Sequence, residues 1–120
     1  MDDEFEILRK EYLVALGKRA KEVAKGFATL KVGVDVEVGG DVWTSILYVA
    51  HKTAGLAATY DLPRLTDLCA AIDEGMQNIK SSGTLQVPFA EFKTWCETLR
   101  LGLLLGSQGK DADDLQPPIL

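Results

Sequence analysis

The chain is poor in the residues that metal and redox chemistry need. It has one histidine, His51, and two cysteines, Cys69 and Cys96, in 120 residues. One histidine builds no histidine-based metal site, and the cysteines lie too far apart for a zinc or redox motif. No run of about 18 apolar residues occurs, so no membrane-spanning helix is expected. No GxxxxGK[ST] loop and no Gly-rich nucleotide loop is present, and no cluster of carboxylates stands near His51 in sequence. Basic residues number 13 against 18 acidic ones, a net charge of −5, which argues against a compact basic surface for nucleic acid. The N-terminus, Met1-Asp2-Asp3-Glu4, is acidic and no apolar stretch follows it, so no secretory leader is expected and the cytoplasm is the expected location. What is present is a 47% apolar, 26% charged composition, suited to one soluble domain with one core.

Helical periodicity dominates. Phe5, Leu8, Tyr12, Leu16, Val23, Phe27 and Leu30 recur at steps near three and four, which predicts a long amphipathic helix over 4–30. Asp2, Asp3, Glu4 and Glu6 come first; Lys18, Arg19, Lys21 and Lys25 come last. That order complements the helix dipole, and these charges read as a solvated face. Residues 31–40 alternate like a strand, but no second strand is evident, and a lone strand is not stable; an extended connection is predicted. Gly39-Gly40 break the chain and Asp41 suits an N-cap. Further helices are predicted over 41–60, 62–81 and 87–106, the third opening at Pro63. The fold class is therefore all-α, an antiparallel up-down four-helix bundle. Its predicted core includes Leu8, Tyr12, Trp43, Ile46, Ala50, Leu65, Leu68, Ile72, Phe92, Trp95 and Leu99. The cysteines fall on core faces and read as small buried residues. The domain is placed at 1–106, and 107–120, with Asp111, Asp113, Asp114 and Pro117-Pro118, as a disordered tail.

The second helix is chemically distinct. Between Val42 and Tyr60 its one full charge is Lys52. On a wheel at about 100° per residue, Leu56, Val49, Val42, Tyr60, Thr53, Ile46, Ala57, Ala50, Trp43, Ala54, Leu47 and Ala58 lie on one broad arc. His51, Thr44, Gly55, Tyr48, Thr59, Lys52 and Ser45 lie on the other. A lone helical histidine is more often structural than functional, yet this one is placed away from the core. Gly55, one turn later on the same face, costs about 1 kcal/mol in a helix interior relative to alanine. It removes a side chain from beside the imidazole and lets a macromolecule approach.

The stretch Ala50-His51-Lys52-Thr53-Ala54-Gly55-Leu56-Ala57-Ala58, followed by Leu62-Pro63-Arg64-Leu65-Thr66-Asp67-Leu68-Cys69, resembles the histidine phosphotransfer (HPt) domain family. The resemblance runs from the first helix to the fourth. It implies a four-helix bundle with a phosphorylatable, exposed histidine on its second helix and a glycine four residues later that leaves room for the partner. The family commonly has an aliphatic residue two after the histidine and a lysine three after it. Here Thr53 and Ala54 stand there, and one branch of the family does carry alanine at the second of these. The family often has glycine where Asp61 stands.

The resemblance implies that His51 is the phospho-accepting nucleophile. Thr44, Leu47, Tyr48, Gly55 and Ala58 around it form the docking face. Lys52 is the candidate for steadying the phosphoryl group; its alternative is a solvated surface lysine. A neutral imidazole keeps a free lone pair on one ring nitrogen, which can attack the phosphorus of an aspartyl phosphate. Such transfer depends mainly on positioning and charge neutralisation. The implied partner is the receiver domain of a response regulator or of a hybrid histidine kinase, which brings the Mg2+. The chain is expected to need no cofactor of its own, and it is not expected to be an enzyme, to bind nucleic acid or membrane, or to be other than a monomer. Two other readings stand beside this one. The first is a module that binds a receiver without accepting phosphate, consistent with Ala54. The second is a small enzyme with His51 as general base, which needs a concave pocket and an orienting acid; no acid lies within one turn of His51.

Overall fold

In the computed structural model, which describes residues 3–118, four helices pack around one core. They are α1 (Asp3–Ala28), α2 (Asp41–Leu56), α3 (Pro63–Ser81) and α4 (Phe89–Ser107). A 3-10 turn, Ala57–Tyr60, follows α2. Asp2 and the last two residues of the tail lie outside the described residues. α1 packs mainly on α4, and α2 mainly on α3. No helix among the described residues is long and apolar enough to cross a membrane.

The two ends of the molecule pack differently. One is aromatic: Trp43 stacks on Phe92, Trp95 meets both edge-on, and Phe27 joins through Phe89 and Phe92. The other is built on glycine. A Cβ at Gly102 would stand 2.7 Å from Leu68 Cδ2, and one at Gly106 would stand 2.9 Å from Leu16 Cδ1. These glycines let α4 approach α1 and α3 more closely than a Cβ would allow without moving Leu16 or Leu68.

The connection over 31–40 is not merely extended. β1 (Val36–Glu37) pairs antiparallel with β2 (Gln86–Val87), Val36 opposite Val87 and Glu37 opposite Gln86. Only Val36 of the alternating valines is fully buried; Val32 and Val34 face outward. Pro88, which has no N–H to donate, follows β2 and leads into α4. This overturns the reading of residues 31–40 as unpaired. The α2 N-cap is Gly40, with Asp41 already inside the first turn, where its charge still suits the dipole.

Leu8 does not join the core; it is 45% exposed. Tyr60 is the reason. Its ring stacks on Tyr12 and on Phe5, and its carbonyl accepts a hydrogen bond from Arg9 Nε at 3.0 Å. Contact on the first turns of α1 is thereby drawn to the Phe5–Arg9 side, and Leu8 is left on the open side. The other predicted core residues are buried.

The tail is docked through the described part of 107–120. The Asp111 carboxylate accepts hydrogen bonds from the backbone N–H groups of Arg64 at 2.9 Å and Leu65 at 2.8 Å. These are orphan donors of the first turn of α3, whose own N-cap, Leu62, offers no side-chain acceptor. Asp113 pairs with Arg64 at 2.8 Å, Ala112 is buried, and Leu115 packs against the core. The disordered tail expected from composition is corrected for these residues: two small apolar contacts and one capping carboxylate hold it down.

Candidate functional site

α2 carries the site because its apolar arc faces the core and its other arc does not. Trp43, Ile46, Val49, Ala50 and Thr53 are buried, while Thr44, Tyr48, His51, Lys52, Gly55 and Ala58 are exposed and Leu47 is half-buried. Leu56, placed on the apolar arc, is 45% exposed, because the α-helix gives way to the 3-10 turn at that point.

The His51 side chain is 70% exposed. Its Nδ1 lies 2.8 Å from Asp73 Oδ2 on α3. An acid therefore does flank the histidine, although none lies within one turn of it along α2. Asp73 comes from the neighbouring helix, so no spacing along α2 reveals it. A carboxylate at Nδ1 favours the tautomer with the proton on that nitrogen, leaving the Nε2 lone pair free. Nε2 has no partner among the described residues. The Asp73 side chain is only 18% exposed, so its orientation is held by packing. The Gln77 amide reaches its other oxygen at 3.5 Å, at the limit of a hydrogen bond.

Gly55 meets nothing: a Cβ there would find no atom within 4 Å. The flank of His51 is open, as the wheel predicts. Lys52 turns elsewhere. Its Nζ rests over the Tyr48 ring, 5.7 Å from the centroid, and both residues line the groove between α1 and α2 with Lys18 and Arg19. No hydrogen bond between the Lys52 ammonium and the His51 ring occurs among the described residues.

Thr53 is fully buried and polar. Its hydroxyl accepts a hydrogen bond from Arg19 Nη1 at 3.1 Å, and its carbonyl accepts one from the Tyr12 hydroxyl at 3.4 Å. The Arg19 guanidinium also lies over the Tyr12 ring. Arg19 is thus a tie between α1 and α2 under the site, not one more charge on a solvated face. Burial pushes the Cys69 and Cys96 thiols up to about 12, so neither is a nucleophile at neutral pH. Among the described residues no three His, Cys, Asp or Glu side chains gather in a way that holds a metal ion.

The arrangement offers one exposed imidazole, a carboxylate from the next helix at its Nδ1 and a cleared flank. His51 does not line the groove between α1 and α2 that Tyr48 and Lys52 border. No family model, no curated protein and no solved structure matches the chain, so what the site does is read from its own residues.

Proposed function

We propose that the chain is a cytoplasmic histidine phosphotransfer protein, an antiparallel up-down bundle that carries a phosphoryl group on His51 between receiver domains. The observation that supports this most directly is the His51–Asp73 contact at Nδ1, on a side chain 70% exposed. In the proposed step the Nε2 lone pair forms the N–P bond as the P–O bond to the receiver's aspartate breaks. The aspartate leaves as a carboxylate. The positive charge that develops on the imidazole is met by the Asp73 carboxylate at Nδ1. Magnesium and the acidic pocket belong to the receiver. Thr44, Leu47, Tyr48, Gly55 and Ala58 form the docking face, and the reverse step passes the group to a second receiver.

A small enzyme with His51 as general base is less well supported. Asp73 supplies its orienting acid, but a side chain 70% exposed offers a small substrate no enclosing pocket. The binding module without transfer is favoured by one observation, the Lys52 ammonium seated over Tyr48 and not beside the imidazole.

One experiment separates these readings. The chain is incubated with a receiver domain labelled at its aspartate by radioactive phosphate. Label that moves to this chain, is lost in acid and survives base is the expected result, and His51→Gln should take up none while still binding. Binding without label points to the module. Label on the His51→Gln protein overturns the assignment.

A further inference from the structure

α1 presents a stripe that the bundle does not use. Ile7, Glu11, Val14, Lys18, Lys21 and Lys25 follow one another at steps of four and three, and all are exposed, Ile7 at 58% and Val14 at 60%. That spacing keeps them on one side of the helix. Val14, Lys18 and Lys21 border an apolar groove between α1 and α4, whose far wall carries Leu104 and Arg100. Leu101 and Leu104 of α4 are themselves exposed at 40% and 39%. This groove flanks α1 on the side away from the α2 groove, and His51 lines neither.

The charge along α1 is polarised. Its first half holds Asp3, Glu4, Glu6 and Glu11 against Arg9 and Lys10, and its second half holds Lys18, Arg19, Lys21 and Lys25 against Glu22. Among the described residues, Glu11, Lys18, Lys21 and Lys25 make no ion pair. Two parallel copies of this helix would set acid on acid and base on base. Two antiparallel copies set each acidic half on the other's basic half, with Val14 near the two-fold axis meeting its own copy. Ile7 then packs on the alkyl stem of a lysine from the facing helix.

From this complementarity we propose that the α1–α4 face is a self-association surface, occupied by a second copy of the chain through antiparallel α1 helices. The pairing leaves His51 of each copy free, and it replaces the expectation of a monomer with a salt-sensitive dimer. The inference does not depend on the phosphotransfer reading.

The test is molar mass in solution, by light scattering or sedimentation equilibrium on the whole chain. The expected result is a mass rising from 13.1 kDa towards twice that with concentration at low salt, and falling back as salt is raised. Lys18→Glu with Lys21→Glu should weaken association about tenfold or more, and so should Glu11→Lys, with helical circular dichroism unchanged. Mixing these two proteins should restore association, because the reversed charges at positions 11 and 18 then face each other across the two-fold axis. Val14→Cys should form a disulfide-linked dimer under mild oxidation and Ile7→Cys should not. A mass that stays monomeric up to about 1 mM overturns the proposal. So does a dimer indifferent to salt and to all three reversals, or equal cross-linking through Ile7→Cys.

Discussion

Asp73 Oδ2 lies 2.8 Å from His51 Nδ1 across the α2–α3 interface, joining residues 22 apart in sequence. Asp73→Asn keeps the shape and removes the charge. The amide no longer selects the Nδ1–H tautomer, and it offers less to an imidazole gaining positive charge. Long-range proton–nitrogen spectra of His51 should show a larger share of the Nε2–H form. Phosphoryl uptake should slow by about tenfold or more with the fold intact. An unchanged tautomer balance counts against the orienting role.

Glycines on two faces should answer alanine with opposite signs. Gly55→Ala adds a methyl group in open space and a better helix former, and should stabilise by about 0.4–1 kcal/mol. Gly106→Ala puts a Cβ 2.9 Å from Leu16 Cδ1 and 3.0 Å from Leu65 Cδ2, both on fully buried side chains that must shift within the core. It should destabilise by about 1–3 kcal/mol. Urea midpoints of the two variants, measured together, check the contrast.

Asp111→Ala strips two N–H groups at the start of α3 of their acceptor. The loss should be about 1 kcal/mol, as for other helix caps. Truncation after Gly109 should cost more, because Ala112 and Leu115 leave the core with it. A truncated protein with the full-length urea midpoint would mean that the tail contributes nothing.

Burial raises both thiols from an ordinary value of 9.0 to about 12. A group whose folded value is raised stabilises the fold fully below its unfolded value and loses that contribution as pH climbs towards the folded one. The window is therefore pH 9 to about 12, and stability should fall through it. Tyr12, also raised by burial, adds to the fall. The Cys69→Ala/Cys96→Ala protein should show a shallower decline. Below that window a thiol reagent should label the native protein only as fast as it opens.

The four helices are legible in the sequence because each buries a stripe at helical spacing, and the exposure of His51 follows from the same wheel. The clearance at Gly55 is legible too. Asp73 is not, since which face of α3 meets α2 is settled by how two helices cross, and no local spacing encodes that. Arg19 resembles its neighbours Lys18 and Lys21 until Thr53 is seen beneath it. The segment around β1 alternates, but β2 is only Gln86–Val87 and leaves no signal ahead of Pro88. The tail reads as polar because its hold on the bundle depends on Ala112, Leu115 and one aspartate.

The two-residue ladder at Val36 and Val87 brackets the chain between α1 and α4. Everything inside the bracket, α2 and α3 with His51 and Asp73, is a local hairpin of helices with a short connection. α1 and α4 lie outside it at opposite ends of the sequence, so their contact closes the longest loop and carries the largest entropy cost. The expected order of assembly is that the helix pair bearing the histidine forms early and α1 with α4 closes over it late. Conservative truncations such as Ile72→Val should then slow folding, while Val23→Ala should mainly speed unfolding, a difference that the two limbs of a chevron plot read directly.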